Sequence, residues 1–520
     1  MNIGRPTRLV ASALPATFRL LACASFGVWI PHLPAQVRDT VKEDTVKETP
    51  SCKEQYEAAA KAYKGLPEVY RGMSTARADE LARTVESTLS SVRRYLDSCA
   101  AAPRAAEMHF YQAKFRHLLS KRHYNETYRE VQAGSTPVDQ EELRRRMNDF
   151  YQTIARHARQ AFRGLPTKSP LRAEALQLLG QAYGAAKDHE GARSAYEAFL
   201  KLYPEHEKVG SVTTALGRVY LSLELYDQGI DLVRKAQENE KIYASDSYPY
   251  LGEVLWKLHE AKGDVEGMLR SVEAVRKLYP MRLKSSTGLS RHQRDDYERY
   301  LMFSGFRRGY CHFATGSYDE ARQGFHEHVD ELTEKTRELQ KRGADLPPYG
   351  QIYMKRSMDS IAVLDSLIDT PAPAEFNLAG VWVTDKKVTL EKHRGKVIAV
   401  VFRGSSDTRS ATFLEKVDEF CAGEEDIELL SVCFLKGVQN VSRQLDELRD
   451  DLRSRGYRGS AGFDPDAANK SIFRAYRANV GSATFVAIDR QGNYVWFQQD
   501  PRTVDVNLAR TILLRLKDGG

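Results

Sequence analysis

Apolar and polar residues follow a helical period along most of the chain, and the period changes once. From Ser51 to about Leu367, apolar and aromatic residues recur at intervals of three and four, and Gly or Pro separates the runs. Beyond about residue 375 the pattern differs, and Val397–Phe402 is a continuous β-branched and aromatic run that is typical of a strand buried on both faces. The pattern predicts a long all-α region followed by an α/β domain.

One motif recurs within residues 166–367. Its spacing, L-x-x-L-G-x-x-Y…A-x-x-x-aromatic…P, resembles the tetratricopeptide repeat, a helix pair of about 34 residues. Gly180 and Ala192 are small where the two helices must approach closely, and Pro204 is placed to end the second helix. The other motif positions of this first copy are Leu176, Leu179, Tyr183, Tyr196 and Phe199.

Further copies of the motif follow with weaker spacing. The second copy contains Leu216 and Gly217, and a third runs from about Pro249 to Pro280 with Trp256 where the glycine is expected. A fourth contains Gly309 and Phe325. Such helix pairs stack because no single pair can bury its own apolar face, and the stack leaves a concave surface. That surface is expected either to bind a protein or peptide, or to be part of a spacer that positions the next domain.

Residues 51–165 are also predicted to be helical, although they show no readable repeat. Helices are expected over Ala105–Lys121 and Glu141–Phe162. The region is either a set of degenerate repeats or a helical cap. After the repeats, residues 368–375 form a short Pro/Ala segment that is expected to be a stiff linker.

The C-terminal domain, residues 376–520, is predicted to alternate strands and helices and to contain one hairpin. A turn at Gln491-Gly492 separates the two strands of that hairpin. The predicted elements are strand Val397–Phe402, helix Thr412–Cys421, strand Ile427–Phe434, helix Val441–Arg455, strand Phe485–Asp489, strand Tyr494–Gln498 and helix Val506–Leu516.

Two segments of this domain resemble redoxins, the thioredoxin-like family that includes AhpC/TSA peroxidases and envelope thiol-disulfide reductases. The segment from Phe376 to Phe402 is similar to the family's opening, and the segment from Gly462 to Gly492 is similar to its closing part. The resemblance implies a thioredoxin-like fold and a redox site after the first strand.

The catalytic residues that the resemblance implies are absent. Asp407 and Ser410 stand at the two cysteine positions of the family's W-C-x-x-C motif, and Ala483 replaces the cis-proline that usually faces them. Thiol-disulfide exchange and peroxide reduction need a thiolate, which a carboxylate and a hydroxyl cannot replace. We expect Asp407 to cap the following helix. The alternative is that Ser405, Ser406, Thr408 and Arg409 bind an anion or an acidic peptide.

Other chemical signals are weak. Arg403 replaces a large aromatic residue and is expected to reach solvent or to pair with a carboxylate. Cys421 and Cys433 lie away from any helix N-terminus and are interpreted as packing residues. Phe325–His328 lacks the histidine spacing of a helical zinc site and is interpreted as a solvated face. No cofactor motif and no metal site is predicted.

The N-terminus has the pattern of a secretory signal. Residues 1–35 contain three arginines and no acidic residue, and Leu20–Ile30 is an apolar run too short to span a bilayer. Cleavage is expected after Ala35. The alternatives are an uncleaved anchor and lipidation at Cys23. Residues 36–50 form a polar linker.

Charge and cysteine content narrow the possible partners. The net charge of +7 falls to +4 without the three signal-segment arginines (74 basic against 70 acidic residues), and the sequence has no long basic block, so we expect no nucleic-acid partner. Of six cysteines, Cys52 and Cys99 either form a disulfide in an exported chain or pack independently.

The predicted function is that of an exported cell-envelope protein. It binds a partner through its repeats, and its thioredoxin-like domain is a redox-inactive binding or structural module. The alternative is a redoxin-family oxidoreductase, either a thiol peroxidase or a thiol-disulfide reductase, that uses an unrecognised cysteine.

Overall fold

A computed structural model describes most of the chain beyond the N-terminal 49 residues. The predicted signal segment with Cys23, nearly all of the polar linker, and Asp407 lie outside the described residues. The described ranges are residues 50–66, 75–99, 102, 104–134, 139–243, 245–285, 289–372, 383–384, 390–404, 408–434, 441–464, 475–478, 483–499 and 506–519.

The N-terminal region is helical, as predicted, and a disulfide joins its first two described helices. Cys52 and Cys99 are bonded with their Cα atoms 6.2 Å apart, which decides between the two alternatives left open by the sequence. The predicted helix Ala105–Lys121 ends early, because Leu119 leaves helical geometry (φ −84°, ψ 0°) and a new helix begins at Ser120. The helices are α1 Pro50–Lys64, α2 Thr75–Ser98, α3 Ala105–Leu118, α4 Ser120–Gly134 and α5 Gln140–Gly164.

Helix pairs continue through the predicted repeats. Gly180 lies against the ring of Tyr196 so closely that a Cβ atom at that position would overlap it, which confirms the reason for a small residue there. The helices are α6 Pro170–Ala185, α7 His189–Leu202, α8 Val209–Ser222, α9 Tyr226–Gln237, α10 Glu240–Tyr243, α11 Tyr248–Lys262, α12 Val265–Ser285, α13 Arg291–Thr315, α14 Tyr318–Gln340 and α15 Pro348–Ser366.

The third copy departs from its predicted end, because α12 continues through Pro280 to Ser285. The neighbouring Tyr279 is 2% exposed and donates a hydrogen bond to the Pro249 carbonyl (3.0 Å). Its ring also packs edge-on against Tyr297, with 4.9 Å between centroids. This packing holds the helix where proline alone would weaken it.

The C-terminal domain contains one mixed sheet of order β3-β2-β1-β4-β5. Strands β1, β2 and β3 are parallel, whereas β4 and β5 run antiparallel to their neighbours, which agrees with the thioredoxin-like fold. Gly492 (φ +89°) forms the predicted hairpin turn. The elements are β1 Val397–Gly404, α16 Thr408–Cys421, β2 Ile427–Phe434, α17 Val441–Ser454, β3 Ser460–Asp464, β4 Thr484–Ile488, β5 Tyr494–Gln499 and α18 Val506–Lys517.

The repeats and the sheet share one hydrophobic core. Trp496 of β5 is fully buried, and its ring packs against Phe313 of α13 (4.6 Å between centroids). The Tyr318 hydroxyl of α14 donates to the Val495 carbonyl of β5 (3.0 Å). Apolar residues from α11 to α15 and from the sheet form a single buried cluster. The α/β domain is therefore packed directly onto the last repeats.

Helix α18 also hydrogen-bonds to the ends of two repeat helices. Asn507 donates a hydrogen bond to the Ala261 carbonyl, and Arg515 donates one to the Ala314 carbonyl. The donor–acceptor distance is 2.6 Å in both. Both repeat helices end in glycine, Gly263 (φ +76°) and Gly316 (φ +80°), where the left-handed conformation favours glycine. Since terminal helical carbonyls lack partners within their own helix, α18 supplies donors that the repeats need.

The expected linker is not a free connection. The Asp369 amide donates to the Tyr494 carbonyl (3.1 Å), and the Tyr494 amide donates to the Thr370 carbonyl (3.0 Å). Ala372 bonds to Gly492 in the same way, over 2.8 Å. Residues 369–372 are therefore hydrogen-bonded to the start of β5 and the turn before it, and do not form a free linker between the repeats and the sheet.

Candidate functional site

The redox position of the fold lies where β1 and β4 meet. Phe402 of β1 pairs with Thr484 of β4, so Ala483, directly before β4, lies beside the end of β1. Ala483 is 2% exposed. Ser410, in the first turn of α16, is 1% exposed. The fold thus brings the end of β1 and Ala483 together and buries Ser410, while Asp407 lies outside the described residues.

Arg403 is buried beside this position. Its side chain is 1% exposed, and its Nη2 atom lies 3.7 Å from Oδ2 of Asp451. Of the two expectations, pairing with a carboxylate is therefore the one that holds. Nε and Nη2 have no hydrogen-bond partner. The side chain borders a small cavity with Asp418, Arg455 and Tyr457.

No described free cysteine is arranged as a redox nucleophile. Cys311, Cys421 and Cys433 are all buried. Burial, followed by the negative charges of Asp418 and Glu428, raises the pKa of the Cys421 thiol. Burial likewise raises the pKa of the Cys311 thiol. Protonated, enclosed thiols are poor nucleophiles, in keeping with a packing role.

A second candidate site is the surface formed by the first helix of each pair, α1, α3, α6, α8, α11 and α13, together with the last helix of the repeat region, α15. We name it the first-helix face. Side chains link neighbouring members of this row: the Tyr56 hydroxyl of α1 donates to Glu107 of α3 (2.6 Å), and Arg307 of α13 contacts Glu253 of α11 (2.7 Å). These links connect neighbouring helices along the face.

The face is rich in aromatic side chains and arginines near its C-terminal end. The ring centroid of Phe303 of α13 lies 4.6 Å from that of Tyr353 of α15 and 5.9 Å from that of Tyr349. Ile352, on the same helix, is 54% exposed. We name this area the aromatic–arginine patch; it comprises Tyr250, Arg299, Phe303, Tyr349, Ile352, Tyr353 and Arg356, and three of these side chains pack on the buried ring of Tyr300.

Arginines lie over the rings of the patch. The guanidinium of Arg299 is 4.9 Å from the Tyr300 ring, and that of Arg356 is 5.6 Å from the Tyr353 ring. Burial tends to raise the pKa of the Glu253 carboxyl, but the charges and hydrogen bonds of Arg307 and then of Lys257 together lower it. The carboxylate therefore stays ionised in its ion pair with Arg307, whose guanidinium lies 5.6 Å from the ring of Phe303.

Sequence reasoning missed the patch and misjudged one histidine. The helical spacing of Tyr349, Tyr353 and Arg356 can be read from the sequence and places them on one side of α15. It does not show which side of that helix is covered by other helices. His328, predicted on a solvated face, is instead 1% exposed, and its Nδ1 lies 2.8 Å from Oγ of Ser357. The α14–α15 packing that encloses His328 joins residues 29 positions apart.

Neither a membrane span nor a metal cluster occurs within the part of the chain that the structure describes. No described helix is long and apolar enough to cross a membrane. The same residues contain no group of three or more histidine, cysteine, aspartate or glutamate side chains that could hold a metal ion.

The fold and both candidate positions define a helical-repeat solenoid fused to a thioredoxin-like domain. A tetratricopeptide-repeat family model matches residues 174–206, which comprise most of α6 and all of α7. This match coincides with the first copy of the motif identified from the sequence. No curated protein matches the chain.

Several solved structures resemble about a quarter of the chain. One is a candidate thiol:disulfide interchange protein DsbE from Chlorobium tepidum (18% identity, 29% of this chain and 99% of that chain, TM-score 0.24). Another is a candidate protein disulfide isomerase from Bacteroides thetaiotaomicron (26% identity, 29% and 91%, TM-score 0.23). A third is a thioredoxin-family thiol:disulfide interchange protein, also from C. tepidum (16%, 28% and 97%, TM-score 0.22).

Proposed function

We propose that the protein is exported to the cell envelope and binds a protein partner on its first-helix face, with the thioredoxin-like domain acting as a redox-inactive module. The observation that carries the proposal is the aromatic–arginine patch. Tyrosine and arginine dominate the binding energy of protein interfaces because they bury large areas and also hydrogen-bond. Ile352, on the same helix as Tyr349 and Tyr353, adds an exposed apolar side chain.

The disulfide and the buried thiols support the rest of the proposal. Disulfides such as Cys52–Cys99 persist in oxidising compartments, in agreement with export. Ser410 cannot supply a thiolate at the redox position, and burial raises the pKa of Cys421. Export itself is tested by the mass of the mature chain. Cleavage after Ala35 is expected, whereas a lipid-modified Cys23 or a retained N-terminus would contradict it.

Partner binding is tested with two matched variants of the full chain. Ile352→Asp places a charge in the patch, and Met281→Asp places one on α12, at a similarly exposed side chain (54% and 59% exposed). After cross-linking in the producing cells, we expect Ile352→Asp to recover about tenfold less of the partner than Met281→Asp, as for the loss of one strong contact. Equal recovery with both variants would refute the location of the binding surface.

Redox inactivity is tested on the same full-length protein. We expect insulin reduction and peroxide consumption at the uncatalysed rate. Turnover that disappears in Cys421→Ser or Cys433→Ser would instead establish the oxidoreductase alternative. Because the two redox assays are independent of partner capture, the claim of redox inactivity and the claim of partner binding can each be refuted without the other.

A further inference from the structure

Two histidines lie against each other where α3 and α5 pack together. Nδ1 of His109 on α3 is 2.9 Å from Nδ1 of His157 on α5, and the ring centroids are 5.1 Å apart. At this distance the two nitrogens share one hydrogen bond, in which one ring donates its proton and the other accepts it through a lone pair. We name these two side chains the histidine pair.

The helices that carry the histidine pair are in close contact. Both rings are half-buried, and the residues that follow them in the chain, Phe110 and Ala158, are completely buried. Elsewhere on the same helix contact, Gly164 lies so close to Ala106 that a Cβ atom at Gly164 would overlap it. The two rings therefore cannot move far apart while α3 and α5 stay packed and both side chains remain inside.

The hydrogen bond of the histidine pair tolerates one added proton but not two. A first proton on the far nitrogen of the donor ring leaves the bond intact, because the donating N–H and the accepting lone pair both remain. A second proton occupies that lone pair, so that two N–H groups point at each other across 2.9 Å. The two positive charges then also repel each other in a place that is partly withdrawn from water.

No negative charge compensates this repulsion. Among the described residues, three other histidines form an ion pair with a carboxylate, but neither His109 nor His157 does. Burial lowers the pKa of His109, and burial followed by the positive charges of His109, Arg116 and Arg156 lowers the pKa of His157 to about 4. The charged groups of α3 and α5 that act on the pair are thus basic, and the described residues of the other helices packed against α3 and α5 contribute nothing to either shift.

We propose that the histidine pair is a pH-sensitive contact, which holds α3 against α5 at neutral pH and releases α3 when both rings are protonated. Helix α3 belongs to the first-helix face. Besides the hydrogen bond from α1 described above, its Lys114 lies 3.5 Å from Glu174 of α6. Acid is therefore expected to loosen the N-terminal end of that face. The pair lies on helices that contribute nothing to the aromatic–arginine patch, so its titration is independent of partner binding there.

The expected size of the effect follows from His157. When α3 separates from α5, the ring regains an ordinary pKa of about 6.5, so the open form binds a proton before the closed form does as the pH falls. With a pKa of about 4 in the closed form, the ratio of open to closed molecules rises about 25-fold between pH 7.5 and pH 5.0. Because His109 shifts in the same direction, this value is a lower bound.

The test is amide hydrogen exchange of the full chain at these two pH values, corrected for the intrinsic effect of pH and read from peptides of α3 and α5. We expect the rise in opening to be at least about fivefold smaller in His157→Asn than in the wild type, because the asparagine amide can replace Nδ1 in the hydrogen bond but does not titrate. His326→Asn, at an exposed histidine of α14, is the matched control and is expected to behave like the wild type. An equal rise in the wild type and His157→Asn would overturn the proposal.

Local release is distinguished from general acid unfolding in the same experiment. Peptides of α7 and α8 are expected to keep their protection at pH 5.0, and an equal loss there would overturn the proposal. Unchanged protection of α3 and α5 in the wild type would show that protonation only turns the rings toward water, which would overturn it as well.

A measurement on the unaltered chain covers the case in which the variant folds poorly. Exchange of the carbon-bound Cε1 hydrogen of histidine, followed by mass spectrometry, gives the pKa of each ring in the intact protein. We expect His109 and His157 both to titrate well below the ordinary value of about 6.5. Ordinary titration of either ring would overturn the proposal.

Discussion

Helix α18 is predicted to join the repeats and the thioredoxin-like domain into one cooperative unit, and Arg515 is the residue that tests this best. Its guanidinium donates a hydrogen bond of 2.6 Å to the Ala314 carbonyl, at the end of α13. A hydrogen bond from a charged group contributes about 1.5–3 kcal/mol. Burial lowers the pKa of Arg515, so its partial desolvation offsets some of this contribution. We therefore expect Arg515→Ala to cost about 2 kcal/mol.

The matched control lies five residues earlier on the same helix. Arg510 is exposed, and its only recorded contact among the described residues is with the ring of Phe420, at 5.2 Å. Arg510→Ala makes the same change in helix propensity and is expected to cost about 0.5 kcal/mol. The difference between the two variants isolates the interface contact.

The assay is denaturant unfolding of the full chain, followed by circular dichroism and by tryptophan fluorescence. Circular dichroism reports mainly on the helical repeats, whereas tryptophan fluorescence reports on both parts of the fold, through Trp256 of α11 and Trp496 of β5. One shared transition is expected for the wild type, at a lower midpoint in Arg515→Ala. Two separated transitions, or equal midpoints for the Arg515 and Arg510 variants, would refute the reasoning.

Two further predictions concern the helical region. Cys52→Ser opens a loop of 47 residues and is expected to lower the unfolding free energy by about 4 kcal/mol relative to the oxidised wild type, by chain entropy, and reductant should abolish this difference. Equal unfolding free energies of the oxidised wild type and the variant would contradict the prediction. His328 is enclosed, and burial lowers its pKa to about 4. As the pH falls, the histidine is therefore protonated in the unfolded chain before it is protonated in the folded chain, which favours unfolding. About 2 kcal/mol of stability is lost between pH 7 and pH 5. His328→Gln should reduce that loss, and an unchanged pH profile would show that His328 is not its source.

Much of the fold follows from hydrophobic period, and the exceptions have physical causes. Strand β2 was predicted within its observed bounds because its run of apolar residues is bounded by polar segments. Strand β3, Ser460–Asp464, was missed because it is short, lacks β-branched residues and gains its structure from pairing with β2. Pro280 was predicted to end the third repeat copy, because local preference does not include the packing of Tyr279 that lets α12 continue.

The candidate sites were less accessible to sequence reasoning. Ser410 and Ala483 were located through resemblance, whereas the partner of Arg403 is 48 residues away and depends on how α17 packs. The aromatic–arginine patch joins side chains of α11, α13 and α15, and helical spacing alone does not say which sides of these helices meet.

The pairing of residues 368–372 with β5 changes where the second domain begins. An unpaired edge strand is a template for association with other chains. Here the segment just before the domain hydrogen-bonds to both backbone groups of Tyr494, and the Tyr318 hydroxyl donates a hydrogen bond to the Val495 carbonyl. A fragment cut at residue 376, the boundary that composition suggests, would leave this edge and the buried face of Trp496 open. We expect such a fragment to aggregate, so its lack of activity would say nothing about the domain in the intact protein.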